Sequence, residues 1–419
     1  MLNIGAKIKE LRKARKMTLA DVAGDRITKG MLSLIENGKA QPSMESLQHI
    51  AKQLNIDVAE LMQTGDSEEI RELYKQAEQL RVEINQEYVK GKYEILQQQL
   101  HDLIEPFVVD GRLKGQTFEE VRLYEMYLGM RNRLNIDKSF EPFFEVVPMY
   151  EQVHAYSKIL GVFSRLASFK FEERKYEEAL AFLIEAETYL DRYGDLIGDL
   201  ERLDLYYNIM VMYAAVNDYE KAEQYFEQAL KIANEKKILY RFNDFYRFMF
   251  LSHCSNENSE KAVYYLKKIR LLTEVFEDPI EMLVEQILTL FYINYIEKDY
   301  EKTIATTFEQ PKLLPEVYEE ISHFLKGEYA YAYWQLNRID EALEQLLNFK
   351  IPYGNQHPLD LMRFYRGFAI RALCYYEKGD YENAKRDILY AVDGVKVFKE
   401  LMLMDKQFIM KAYETIMNK

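Results

Sequence analysis

Beyond its first third, the 419-residue chain repeats itself. A turn residue, an aromatic or aliphatic residue (serine in one copy), an acidic residue and, two positions on, a small residue recur in order. The copies are Lys175-Tyr176-Glu177-Glu178-Ala179, Asp218-Tyr219-Glu220-Lys221-Ala222, Asn258-Ser259-Glu260-Lys261-Ala262, Asp299-Tyr300-Glu301-Lys302-Thr303, Arg338-Ile339-Asp340-Glu341-Ala342 and Asp380-Tyr381-Glu382-Asn383-Ala384. Their small residues are spaced by 43, 40, 41, 39 and 42. The same step carried upstream lands on Asn135-Ile136-Asp137-Lys138-Ser139 and on Gly91-Lys92-Tyr93-Glu94-Ile95-Leu96, so about eight units are expected. Further packing residues follow the small one at helical spacing, as in Ala222/Phe226/Ala229 and Ala384/Ile388/Ala391. A unit of this length cannot bury its apolar face alone, so neighbouring units must stack.

Composition agrees with an all-α chain, because Gly (17) and Pro (9) are scarce while good helix formers dominate. The longest apolar runs, such as 209–216, are far short of the roughly 20 residues that a bilayer span needs. Two distant cysteines, Cys254 and Cys374, make no disulfide framework and point to the cytoplasm. Phosphate-loop, dinucleotide, zinc-protease and nucleophile-elbow motifs are missing, and six histidines are scattered without ligand spacing, so no enzyme, cofactor or metal is expected.

Net charge is −14, yet residues 1–65 hold 10 Lys/Arg against 7 Asp/Glu, so nucleic-acid contact belongs at this end. Ile4, Ile8 and Leu11 lie at helical spacing. Thr18-Leu19-Ala20-Asp21 has the form of a capped helix start. Thr28 can cap a third helix that Asn37-Gly38 would stop, and Pro42-Ser43 opens a fourth. Two short helices joined by a tight turn, with flanking helices, describe a helix-turn-helix whose second helix enters the major groove. The stretches Gly5-x-x-Ile8-x-x-Leu11-Arg12, 17–23 and Leu32-Ser33-Leu34-Ile35-Glu36-Asn37-Gly38-Lys39-x-x-Pro42 resemble the Xre/Cro repressor-type domain. The resemblance implies DNA contact by Thr28, Lys29, Ser33 and Asn37 on the third helix. Lys16 and Lys39, with the Lys13/Arg15 cluster, suit phosphates. Ala20 stands where that family usually has glutamine and Leu34 where it often has a basic residue, so two expected contacts are missing. Such a domain can also serve dimerisation alone.

Gln63 to Glu69 reads as a linker. The expected layout is a DNA-binding domain at 1–65, a linker at 66–70, a repeat array at 71–398 and a capping helix at 399–419, where Met402, Met404 and Met410 could serve an interface. The repeats resemble the tetratricopeptide repeat, which implies a right-handed superhelix with a concave face for an extended peptide. On that face Asp204, Asn208, Val211 and Ala215 share a stripe. Asparagine is disfavoured in mid-helix, and its amide can pair both groups of a ligand's peptide unit. The same register adds Arg131, Asn132, Arg165, Asp244, Tyr292, Glu328 and Tyr331, with Tyr207 and Trp334 as rigid apolar contacts.

An Xre-type domain joined to such an array resembles the RRNPP family of cytoplasmic quorum-sensing peptide-pheromone receptors, most of all its NprR-like branch. The resemblance implies a backbone-clamping role for Asn208 and a short, secreted and re-imported oligopeptide as ligand. It further implies a homodimer or tetramer on a double-stranded operator, and control of a post-exponential programme. Two alternatives stay open. One is a Rap-type antagonist of a sporulation response regulator, with Gln97-Gln98-Gln99 as a source of a reactive-site amide. The other is a phage lysis/lysogeny receptor.

Overall fold

The computed structural model describes residues 4–40, 42–56, 65–87, 90–255, 258–352, 355–398 and 403–418. Among these every regular element is helical, with no strand, and no helix is long and apolar enough to cross a membrane. The chain divides into two units, Met1–Val153 and His154–Lys419.

The first unit opens with α1 (Ile4–Ala14), α2 (Leu19–Ala23), α3 (Lys29–Glu36) and α4 (Met44–Gln53). Each start has a physical cause. Thr18 and Asp21 form a reciprocal capping box on α2, while Thr28 accepts the Met31 amide and Ser43 the Ser46 amide. Ile8, Val22, Leu32, Ile35, Leu47, Ile50 and Leu54 form the shared core. Gly5 lets α1 lie directly on α3, since a Cβ there would stand 1.9 Å from the Ile35 carbonyl oxygen. Arg12 clamps the buried Glu36 carboxylate through Nε and Nη2 at 2.6 and 2.8 Å, a bidentate geometry that only guanidinium supplies. The His49 ring meets the Ala23 carbonyl at 2.8 Å, tying α4 to α2.

Two helix pairs follow, α5 (Gly65–Gln86) with α6 (Lys90–Val109) and α7 (Phe118–Arg133) with α8 (Glu141–Gln152). The expected linker at 66–70 lies inside α5, because Glu68 and Glu69 suit the positive end of a helix as well as they suit a loop. Residues 63 and 64 of the linker reading lie outside the described residues, as do Met402 and the side chain of Met404.

The second unit holds six more pairs: α9 (Tyr156–Glu172) and α10 (Tyr176–Tyr193), α11 (Asp199–Ala215) and α12 (Tyr219–Lys236), α13 (Phe242–Ser255) and α14 (Ser259–Phe276), α15 (Pro279–Tyr292) and α16 (Tyr300–Ala305), α17 (Pro315–Gln335) and α18 (Ile339–Leu346), α19 (Pro358–Glu377) and α20 (Tyr381–Val395). A final helix, α21 (Leu403–Met417), packs on both members of the last pair.

The repeat motif now has a mechanism. Arg174, Asn217, Lys298, Asn337 and Gly379 all adopt positive φ at the end of a first helix, the left-handed stop that satisfies its last carbonyls. The next residue starts the second helix, and Asp218, Asn258, Asp299 and Asp380 each accept the amide three residues on. The small residues Ala179, Ala222, Ala262, Thr303, Ala342 and Ala384 are all completely buried where helices approach. One unit departs from the plan. Its first helix ends in a π-helical turn, Ile293–Glu297, and α16 is only 6 residues long. Thr303 there donates to the Asn294 side chain at 2.7 Å, a polar contact that alanine elsewhere lacks.

Candidate functional site

In α3, Leu32, Ile35 and Glu36 face the core, so the opposite side is available to a ligand. That side carries Gly30, Leu34 and Asn37, all exposed, with half-buried Ser33 beside them and exposed Lys29 at the helix start. Thr28 is exposed but its hydroxyl oxygen is used as the cap. The Asn37 amide donates to the Ser33 carbonyl at 2.8 Å and its oxygen accepts from Lys9 Nζ at 3.0 Å, so this side chain closes α3 onto α1. Lys16, in the left-handed conformation after α1, and Lys39, just beyond α3, are exposed like Lys13 and Arg15.

The second candidate centres on α11. Asp204, Asn208 and Val211 lie on one stripe and all are half-buried. Among the described residues the Asn208 amide has no hydrogen-bond partner. Around it the structure brings Asp204, Tyr207 and Asp244 together through two arginines. Arg241 donates to Asp204 Oδ1 at 2.9 Å and to Asp244 Oδ2 at 3.1 Å, and its guanidinium lies 4.0 Å over the Tyr207 ring. Arg247 pairs with the other Asp244 oxygen, and Tyr240 donates to Asp204 at 3.1 Å. Burial pushes the Tyr207 phenol up to about 12, with Asp244 adding to the shift. Burial likewise raises the Glu281 carboxyl, against the pull of Arg247.

A strap from the start of α19 reaches the same helix. His357 Nε2 donates to the Val211 carbonyl at 3.1 Å while Nδ1 accepts the Leu359 amide at 3.2 Å, which fixes one neutral tautomer. Arg174 Nε donates to the Gln356 side chain at 2.9 Å, and the Tyr176 hydroxyl to the Gln356 carbonyl at 2.7 Å. Desolvation lowers the His357 pKa.

Other expected contacts are placed differently. Arg165 and Tyr292 are half-buried in α9 and α15. In the first unit, Arg131 donates to the Tyr127 hydroxyl at 3.1 Å and Asn132 is buried. Glu328 is a buried ion-pair partner instead of a groove residue, and Tyr331 sits in an aromatic cluster. Glu328 is 1% exposed and takes hydrogen bonds from Arg363, Arg366 and Asn294 at 3.0, 2.9 and 3.0 Å. Tyr331 stacks on Tyr295 and meets Tyr300 and Phe408 edge-on. Glu328 therefore faces the interior, where two arginines from α19 neutralise it, whereas Tyr331 stays half-buried among these rings. Gln97 is buried, whereas Gln98 and Gln99 are both exposed and Gln98 donates to Asp102 at 2.7 Å.

Tyr240, Arg241, Arg247 and His357 were not anticipated. A signal existed for the arginines, which stand three residues either side of Asp244 on the α13 face. His357 meets Val211 across 146 residues and left no local pattern. His101, Asp102 and Glu105 have ligand atoms within 4.8 Å of one another. His101 Nδ1 is already paired with Asp102 at 3.0 Å, and its ring stacks on Tyr127.

Comparison with known proteins gives a helix-turn-helix family match over residues 8–61 and a tetratricopeptide repeat match over residues 203–236. The chain therefore joins a helix-turn-helix domain to tetratricopeptide-type repeats. No curated protein matches it in sequence. Among solved structures it is similar to Bacillus thuringiensis PlcR in complex with the peptide PapR7 and DNA, at 15% identity over 73% of this chain and 100% of that one, with a TM-score of 0.36. It is also similar to ComR from Streptococcus suis, at 14% identity over 72% and 95% with a TM-score of 0.28. A third is the SHP pheromone receptor Rgg2 from Streptococcus dysgalactiae, at 12% identity over 71% and 99% with a TM-score of 0.30.

Proposed function

We propose that this protein is a cytoplasmic, non-enzymatic transcription regulator that binds duplex DNA through α3 and is switched by a short imported peptide held on its repeats. The observation that carries the reading is Asn208: a half-buried, unpartnered amide in mid-helix, flanked by an Asp/Arg/Tyr cluster, in a chain whose other end presents a recognition helix. A peptide unit matches an amide's donor and acceptor together, and the surrounding charges suit peptide ends and side chains. Arg131, Asn132, Arg165 and Tyr292 remain proposed contacts, and the boundaries at 1–65, 71–398 and 399–419 remain the proposed functional division.

The mechanism is a population shift. Peptide binding changes how the arrays pair as a homodimer or tetramer, and so changes the spacing of two DNA-binding domains relative to their half-sites. Size-exclusion chromatography with light scattering, run with and without short peptides from spent medium, tests this. The expected result is a retained peptide of roughly five to ten residues with a change in oligomeric state. Asn208→Ala should then weaken that peptide at least tenfold in calorimetry with its circular dichroism unchanged, about what a lost paired hydrogen-bond set costs. No retained peptide, with co-elution of a response regulator instead, favours the antagonist reading.

A further inference from the structure

The exposed side of α3 carries an apolar side chain at its centre. Leu34 lies opposite buried Leu32 and Ile35 and is 44% exposed, and Met31, one turn earlier, is 46% exposed. Nothing within 4 Å would meet a Cβ at Gly30 except the Thr28 hydroxyl at 3.9 Å, so the surface around Leu34 is open. Two of the polar groups on this side are already engaged, since Asn37 is held by Lys9 and by its own helix and Thr28 is the cap, which leaves Ser33 and Lys29 for hydrogen bonds beside the apolar pair. Exposed lysines and arginines surround the patch in sequence, at 13, 15, 16, 26, 29 and 39. This cationic rim suits a polyanion better than a neutral protein surface, and on a polyanionic duplex the one apolar group in the major groove is the thymine 5-methyl.

We propose that Leu34, with Met31 beside it, reads thymine methyl groups, so that the operator half-site is specified in part by apolar contact rather than by hydrogen bonds alone. This rests on the DNA-binding reading above. Burying one methyl group against Leu34 is worth roughly a fourfold change in affinity.

The test begins with selection of duplexes from a random pool by the full-length protein, with and without short peptides from spent medium. Each thymine of the selected half-site is then replaced singly by deoxyuridine, which removes only the methyl. The inference expects one or two positions at which deoxyuridine weakens binding roughly fourfold for the natural protein. Leu34→Ala should bind the thymine and uracil duplexes equally, and Leu34→Met should keep the discrimination. Because the side chain is outside the core, all three proteins should unfold at the same temperature. A methyl effect that persists in Leu34→Ala, or no thymine whose methyl matters, overturns the inference and leaves DNA binding standing. Failure to enrich any duplex overturns the DNA-binding reading itself, and the inference with it.

Discussion

His323 is completely buried in α17, edge-on to the Phe349 ring, and among the described residues neither ring nitrogen has a hydrogen-bond partner. Burial and nearby Lys326 lower its pKa from 6.5 to about 4. The folded state therefore binds this proton less readily than the unfolded chain. Its contribution is complete above pH 6.5, declines as the pH falls, and is exhausted near pH 4, a difference of roughly 3 kcal/mol. Comparing urea midpoints at pH 7 and pH 4.5, His323→Leu should lose markedly less stability than the natural protein. Equal losses would show that the ring titrates in the folded protein as it does in the unfolded chain. Residue identity was legible in sequence only where a local rule applied. The Asp and Asn caps and the buried alanines follow from spacing, whereas Glu328 looked like a groove residue because nothing local announces Arg363 and Arg366 across the fold.

At the scale of the element, second helices begin at 176, 219, 259, 300, 339 and 381, where the repeat places them. First helices were less visible, since they carry no fixed motif, and the π-helical turn at Ile293–Glu297 has no sequence mark. The helix-turn-helix was legible because α2, α3 and α4 each begin at a side-chain cap. Its tightest constraint, the crossing of α1 over α3 at Gly5, is a backbone contact. Gly5→Ala must push the helices apart, an overpacking cost of about 1–3 kcal/mol. The expected outcome is earlier proteolysis of the N-terminal domain and weaker DNA binding, with peptide affinity unchanged. If the domain melts as before, α1 accommodates the methyl by sliding.

At the scale of the whole second unit, the strap at Gln356 and His357 lies against the helix that carries the proposed peptide site. His357 bonds the Val211 carbonyl, three residues beyond Asn208 on the same stripe, and Arg174 reaches both Gln356 and, at 3.3 Å, the Tyr365 hydroxyl. Where a peptide on the α11 face displaces these contacts, the affinity measured is the intrinsic one reduced by the population in which the strap is closed. Arg174→Ala removes two of the contacts without touching Asn208 or the Asp244 cluster. If the strap competes, this variant binds the peptide several-fold tighter than the natural protein, and each contact of about 1 kcal/mol gives roughly a fivefold gain. If the strap instead closes over the bound peptide, affinity falls in the same experiment. Acid supplies an independent check, because protonation of His357 places a hydrogen on Nδ1 against the Leu359 amide and opens the strap without any substitution. Below its ordinary value near 6.5, peptide affinity should rise toward that of Arg174→Ala, and the variant itself should show a weaker pH dependence.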